Sequence, residues 1–149
     1  MTVAGKIPTP KPAGTVAGRE EWVQAVNDLI ADMTEWSHTQ GWRTATRDTE
    51  VVDESTRLEY TMPILDILTE REYAGLSREV KLVAEPVTFR SATGIGRVDF
   101  YIWPAMYRVR LLSDAYDNQW RVKTDSGIYW PMPWNKETFE YIASGLLAT

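Results

Sequence analysis

An alternation of apolar and polar residues between Arg97 and Lys123 constrains the fold more than any other feature of this chain. Successive side chains of a β-strand point to opposite faces, so the alternation predicts strands with one apolar and one polar face. The apolar set, which predicts a core, is Val98, Phe100, Ile102, Tyr107, Val109, Leu111, Trp120 and Val122. The polar set, which predicts a surface, is Arg97, Asp99, Tyr101, Trp103, Arg108, Arg110, Arg121 and Lys123.

Helical periodicity lies on both sides of these strands. Over 19–38, apolar residues recur at spacings of three and four residues and predict an amphipathic helix. They are Trp22, Val26, Leu29, Ile30, Met33 and Trp36. A second helix is predicted over 136–147, after the favourable N-cap Asn135. Trp134 can pack on Phe139 there as a hydrophobic staple. Each predicted helix therefore has one apolar stripe to bury.

The segment between the first helix and Arg97 predicts further strands. A short apolar alternation comprises Leu58, Tyr60, Met62 and Ile64. A longer run covers 79–90, where Pro86 indicates an edge position or a bulge. Short connections between successive strands favour an antiparallel meander. The predicted fold class is therefore α+β, with an N-terminal amphipathic helix, an antiparallel meander sheet of five to six strands and a C-terminal helix.

The domain organisation follows from composition. Residues 1–18 contain three Pro and three Gly without a period, which predicts a flexible tail. Residues 19–149 are of the length expected for a single domain. No apolar run approaches the roughly 20 residues of a membrane helix, and the N-terminus lacks the apolar centre of a signal peptide. Because there is also no Cys, we expect a cytoplasmic protein without membrane contact.

Charge is distributed unevenly along this acidic chain, whose formal net charge is −5. Residues 48–85 contain ten acidic and four basic residues, whereas residues 97–123 contain five basic and three acidic residues. A uniformly basic nucleic-acid coat is therefore excluded. One end of the domain can still attract an anionic partner while the whole chain stays acidic.

The composition also excludes several kinds of active site. His38 is the only His and there is no Cys, so one chain cannot assemble Cys-His or multi-His zinc sites, and a Ser-His-Asp set would have to use His38. His38 itself suits the C-terminal end of the first predicted helix. The glycines of Gly94-Ile-Gly96 lack the strand-then-helix setting of a dinucleotide site. We therefore predict no catalytic residue, no metal ligand and no cofactor, and regard an enzyme as the less favoured alternative.

One carboxylate pattern keeps an enzymatic alternative open. Asp66, followed after twelve residues by Glu79-Val-Lys81, has the form D…ExK of metal-dependent nucleases of the PD-(D/E)XK type. In that chemistry two carboxylates hold Mg²⁺, which activates water, and the Lys stabilises the developing charge. The pattern is short, further strands follow it in place of the expected helix, and the surrounding segment is acidic. Because these features count against it, a Mg-dependent nuclease is the alternative function and not the favoured one.

The residues that favour a function are those that combine cations with aromatic rings. Arg side chains form paired hydrogen bonds with carboxylate or phosphate, and exposed rings offer apolar and stacking area. The candidate partner-binding residues are Tyr101, Trp103, Arg108, Arg110, Arg121, Lys123, Trp130 and Met132. A solvated face with cross-strand charge pairs is the structural alternative.

These residues predict a non-enzymatic cytoplasmic interaction protein, of an adaptor, chaperone or immunity type, that binds a macromolecular partner through a sheet face. A protein partner is favoured, and a homo-oligomer remains an alternative. A non-catalytic nucleic-acid binder is a further alternative, because cations and aromatics also form some single-stranded RNA platforms.

Overall fold

The elements follow the chain in the order of a helix, seven strands and a second helix. The structure is a computed structural model, and it describes residues 16–105, 108–114, 119–124, 129–130 and 133–148. The helices are α1 (Val16–Thr39) and α2 (Lys136–Leu147). The strands are β1 (Arg43–Val52), β2 (Glu59–Tyr73), β3 (Leu76–Arg90), β4 (Ile95–Trp103), β5 (Arg108–Asp114), β6 (Gln119–Lys123) and β7 (Tyr129–Trp130).

The strands form one antiparallel meander in which each strand pairs with the next along the chain. The predicted α+β class and its order of elements are confirmed. Six of these strands have five or more residues, and the two residues of β7 extend the sheet by one short edge strand. Neither helix in the described part of the chain is long and apolar enough to span a bilayer.

Both helices begin and end close to the predicted residues. Helix α2 has the predicted bounds, and the side chain of Asn135 caps it by accepting a hydrogen bond from the Thr138 amide at 2.9 Å. Helix α1 begins at Val16, inside the segment 1–18 that the Pro and Gly content predicts as a tail. The remainder of that predicted tail, residues 1–15, lies outside the described residues.

The two helices bury their apolar stripes against the same face of the sheet. The main core cluster contains α1 residues from Trp22 to Met33 and α2 residues from Phe139 to Leu146. The strand residues that they meet include Leu65, Ile67, Leu82, Ala84, Val98, Phe100, Ile102, Val109, Leu111 and Val122. A second, smaller cluster contains strand residues only: Ile64, Val83 and Tyr101. The sheet face that carries the main cluster is called here the helix-covered face. The opposite face, which carries the smaller cluster, is called the polar face.

Aromatic rings fill the space between the helices and the sheet. Trp22 stacks on Phe89 with ring centroids 5.4 Å apart and planes within 3°. Phe139 stacks on Phe100 at 5.7 Å. Its other neighbours include Trp134, at 6.3 Å in an edge-to-face contact that completes the predicted staple. Aromatic pairs in such geometries contribute about 0.5–1.5 kcal/mol beyond their area burial.

The apolar alternation of β2 and β3 changes phase along each strand. In β3 the register with β4 shifts between Pro86 and Thr88, which confirms the predicted bulge. In β2 the predicted alternation from Leu58 to Ile64 is wrong at both ends, because Leu58 is 51% exposed and Ile64 belongs to the polar face. Inward-facing residues switch phase before Leu65, where pairing with β3 begins.

A buried carboxylate joins two hairpin ends that are remote in sequence. Asp53 is 1% exposed, and its Oδ1 accepts hydrogen bonds from the amides of Ser55 at 2.9 Å and Ser91 at 3.1 Å. An isolated parallel bridge connects Asp53 to Phe89. The end of the β1–β2 hairpin is therefore attached to the end of the β3–β4 hairpin, although these strands are not neighbours there.

Gly96 is required by the packing of Trp22. A Cβ at this position would lie less than 3.0 Å from three atoms of the buried Trp22 ring. We expect Gly96→Ala to lower the free energy of unfolding by about 1–3 kcal/mol, the usual cost of overpacking a core. Urea unfolding measures this change. Gly145→Ala, in an exposed part of α2 with nothing within 4 Å of the added Cβ, is the matched control. It should stabilise by about 0.5–1 kcal/mol, and an equal loss in both variants would contradict the packing argument.

Asp53 should make the protein less stable as the solution becomes acidic. Burial alone raises the pKa of its carboxyl group, but the hydrogen bonds from Ser91 and Ser55 outweigh burial and hold the pKa below its ordinary value of 3.8. A carboxylate whose pKa is lower in the folded state stabilises that state at pH values above its unfolded pKa. This stabilisation disappears as the pH falls through the folded pKa.

We therefore expect the free energy of unfolding to decrease as the pH falls below about 5, and to decrease less steeply in Asp53→Asn. Urea unfolding at a series of pH values measures the slope. The exposed Asp48→Asn is the control and should retain the wild-type slope. An identical slope in Asp53→Asn would exclude a lowered pKa.

Candidate interaction surface

The strand register brings the predicted polar set together on one face. Asp99 of β4 lies opposite Arg110 of β5, which lies opposite Lys123 of β6. Two residues further along β4, on the same face, Tyr101 lies opposite Arg108. The predicted separation of this set from the apolar set is confirmed, since Val98, Phe100, Ile102, Val109, Leu111 and Val122 are all in the helix-covered core. Trp120 is partly buried against that core.

Asp99 holds two of the arginines in place. Its side chain is 1% exposed and accepts hydrogen bonds from Arg97 at 2.6 and 2.9 Å and from Arg108 at 3.1 Å. A buried carboxylate is stable only when it is paired and hydrogen-bonded, and Arg provides planar, paired donors. The centre of the polar face is therefore an ion cluster with the guanidinium groups on its outer side.

Tyr101 supports this cluster from below. The guanidinium of Arg108 lies 4.0 Å from the centroid of the Tyr101 ring, and the Tyr101 hydroxyl donates a hydrogen bond to Glu85 at 2.8 Å. Burial and this hydrogen bond raise the pKa of Tyr101 to about 12. Tyr101 is only 4% exposed, so the expectation that its ring offers a stacking surface is wrong. The Arg108 side chain covers it instead.

The polar face continues as a second ion pair on β1 and β2. Arg47 donates to both carboxylate oxygens of Asp66, at 2.9 and 3.3 Å. The small apolar cluster of Ile64, Val83 and Tyr101 lies on this same face. Because no described helix residue belongs to that cluster, the long charged side chains around it serve as part of its cover.

The part of the polar face on β4–β6 is positively charged. Among its described side chains, five are cationic and one, Asp99, is acidic. The cations are Arg97, Arg108, Arg110, Arg121 and Lys123. Arg121 is exposed, and the others are partly exposed. These cations therefore lie on a part of the sheet that no described helix covers.

Trp103 lies at the end of the polar face and is the one aromatic ring of the predicted site shown to be exposed, at 58%. The Lys81 ammonium group lies 5.4 Å from the centroid of the Trp103 ring. Both residues line a shallow groove with a volume of about 660 Å³. The other lining residues are Leu68, Arg71, Arg78, Glu79, Val80 and Pro104. The sequence reasoning did not identify this groove.

The second predicted aromatic surface is described only in part. Met132 lies outside the described residues, as does Tyr107 of the predicted core. Of Trp130 the backbone alone is described, as part of β7, where it pairs with Val122. The predictions for Trp130 and Met132 therefore remain predictions.

The register separates the residues of the nuclease pattern. Asp66 lies opposite Val83, which is four residues from Glu79 along β3, a distance of about 13 Å for a strand. Each carboxylate is paired with an arginine, Asp66 with Arg47 and Glu79 with Arg43. Across the described ranges, no group of three or more carboxylate or His side chains could hold a metal ion. The geometry thus gives the nuclease alternative no support.

Comparisons with known proteins add no functional constraint. No protein-family model, curated protein or solved structure gives a significant match to this chain. The surface and its chemistry are therefore the basis for any functional argument.

The ion cluster around Asp99 should matter for stability. Asp99→Asn leaves Arg97 and Arg108 close together without the carboxylate that both bind. We expect a loss of about 1.5–3 kcal/mol in the free energy of unfolding, the usual contribution of hydrogen bonds to charged groups, because the two arginines stay partly exposed to water. Glu54→Gln is the control, because it breaks an exposed pair with Arg90 and should cost less than about 1 kcal/mol. Urea unfolding of both variants measures the difference, and similar small losses would show that the cluster is dispensable.

Proposed function

We propose that this protein is a non-enzymatic interaction protein that binds an acidic macromolecular partner, a protein in the first instance, through the β4–β6 part of the polar face. The observation that carries the proposal is a cation-rich sheet face, without helical cover among the described residues, on a chain whose net charge is −5. A local positive field on an acidic protein favours association at one surface over all others.

The organisation of the cations supports binding of carboxylates. Asp99 and Tyr101 hold Arg108 in one position, so little side-chain freedom remains to be lost when this guanidinium group meets a partner. Arg groups are also suited to paired hydrogen bonds with carboxylates. Trp103 adds exposed aromatic area at the end of the same face, the kind of residue that is enriched in interfaces.

A non-catalytic nucleic-acid binder is the second candidate, favoured by the same cations. The burial of Tyr101 counts against it, because single-stranded nucleic acids are usually held by stacking on exposed rings. The acidic composition of the whole chain also disfavours a phosphate backbone. The roles of adaptor, chaperone or immunity protein, and a cytoplasmic location, remain part of the proposal.

Charge reversal on β6 tests the proposed surface. Fluorescence anisotropy is measured with labelled poly-L-glutamate and with an oligouridylate of equal length. We expect wild type to bind poly-L-glutamate and the double variant Arg121→Glu/Lys123→Glu to bind it at least about tenfold more weakly, a loss of ~1.4 kcal/mol.

The matched control is Arg57→Glu/Lys136→Glu, which makes the same change in net charge at exposed positions away from these strands. Circular dichroism verifies that both variants are folded. Equal weakening in both variants would show that net charge alone is responsible and would contradict the proposed surface. Binding of the oligouridylate without poly-L-glutamate would replace the protein partner by nucleic acid.

A further inference from the structure

The hairpin of β2 and β3 extends beyond the strand next to it. β3 begins at Leu76, but its pairing with β4 begins only at Lys81, opposite Trp103. Residues 76–80 pair with β2 on one side and with no described strand on the other. This leaves an edge of about 16 Å of extended backbone beside the sheet.

The chemistry of residues 104 and 105 explains why β4 stops there. Pro104 has no backbone N–H and cannot continue a ladder. The Ala105 amide donates a hydrogen bond back to the Ile102 carbonyl at 2.8 Å, which turns the chain away from β3. The groove lined by Trp103, Pro104 and β3 residues lies in the space where β4 would otherwise continue.

The turn of the hairpin determines which backbone groups face this space. Ala74 and Gly75 both have positive φ, of 54° and 79°, and form a two-residue turn between the paired residues Tyr73 and Leu76. Hydrogen-bonded and non-hydrogen-bonded pairs alternate along an antiparallel ladder. Counting from the turn, the N–H and C=O groups of Ser77 and Glu79 point away from β2. The edge therefore presents two donors and two acceptors to the groove.

The side chains along the edge differ between its two sides. Arg78 and Val80 lie on the side of the helix-covered face, together with Arg71, whose Nη1 donates to the Leu147 carbonyl. Lys81 and Trp103 lie on the other side. In the part of the chain that the structure describes, neither Arg78 nor Lys81 forms an ion pair. Three acidic residues lie near the edge: Glu79 is paired with Arg43, Glu70 accepts a hydrogen bond from the Ser77 hydroxyl, and Glu72 lies opposite Ser77 on β2.

We propose that this edge binds an extended acidic segment of another protein, which adds to the sheet as a strand beside β3. Its backbone pairs with Ser77 and Glu79. Its alternate side chains are acidic where they meet Arg78 and apolar where they meet the Trp103 ring. Strand addition takes its affinity from backbone hydrogen bonds and its specificity from such alternate contacts. The site shares Trp103 with the β4–β6 surface but uses none of the cations of that surface.

Charge argues for a foreign acidic segment over a second copy of this chain. Antiparallel pairing of two copies about the middle of the edge would bring Arg78 of one copy opposite Arg78 of the other, and like charges directly opposite each other are destabilising. Charged residues on an edge also protect many sheets from pairing. The proposal therefore requires that a segment of opposite charge binds where a neutral or basic one does not.

The test uses two capped peptides, one alternating Glu and Val and the other alternating Lys and Val, with the full-length ¹⁵N-labelled protein. We expect the Glu–Val peptide to shift the amide signals of Ser77 and Glu79 and to slow their hydrogen exchange at least about tenfold. The Arg78 amide, which already faces β2, should change little. The Lys–Val peptide should leave all three amides unchanged.

Ser77→Pro removes an outward donor without removing a hydrogen bond to β2. Ser77→Ala is its matched control, since both variants lose the Ser77 hydroxyl bond to Glu70 but only one loses the amide. The proline variant should bind the Glu–Val peptide at least about tenfold more weakly than the alanine variant. Arg78→Glu, which needs no backbone change, should make the protein bind the Lys–Val peptide more tightly than the Glu–Val peptide.

Three outcomes would overturn the proposal. The first is a set of shifts confined to the cations of β4–β6, and the second is equal binding of both peptides. The third is binding of neither peptide, in which case the charges only protect the edge from pairing. Concentration-dependent shifts at Ser77 without peptide would instead identify a second copy as the occupant. The variant Arg121→Glu/Lys123→Glu should retain edge binding, so failure of one surface is distinguishable from failure of the other.

Discussion

Both helices pack on the same face of a single meander, and the other properties of the molecule depend on this one-sided cover. The aromatic rings of α1 and α2 need the apolar residues of β2–β6 to bury their area. Among the described residues, the opposite face then buries Val83 and Tyr101 without a helix. It does so with arginine side chains, whose aliphatic stems cover apolar area while their charged ends reach water. The buried Asp99 gives those arginines a fixed anchor.

Strand lengths determine where a second surface arises. β2 and β3 have fifteen residues each, whereas β4 has nine and stops at Trp103 before Pro104. The overhanging part of β3 therefore has backbone groups that pair with no described strand, and these groups lie beside an exposed tryptophan. Arg78 and Lys81, the cations proposed to attract an acidic strand, also disfavour pairing of this edge with another basic edge. The two proposed surfaces therefore meet at Trp103, one on the polar face and the other along the free edge of β3.

Local signals predicted several parts of the fold from particular residues. Asn135 and the Trp134–Phe139 staple predicted the N-terminal end of α2, because capping depends on neighbouring residues alone. Pro86 predicted the irregularity in β3, since proline cannot join a regular ladder. The groove was missed, although the Ala74-Gly75 turn and Pro104 are visible in the sequence. Its existence depends on how far β3 runs past β4, and that is a property of the register between strands.

The sequence by itself determined the class of the fold, the two faces of β4–β6 and the exclusion of Cys-His and multi-His zinc sites within one chain. Alternation and capping act between neighbouring residues, and residue counts do not depend on the structure. Only the tertiary structure decided which face the helices cover, that Tyr101 is buried under Arg108, and that Asp66 and Glu79 are held apart. Each of these depends on contacts between residues distant along the chain. Such contacts are chosen by packing the whole core at once, so no single segment of the sequence encodes them.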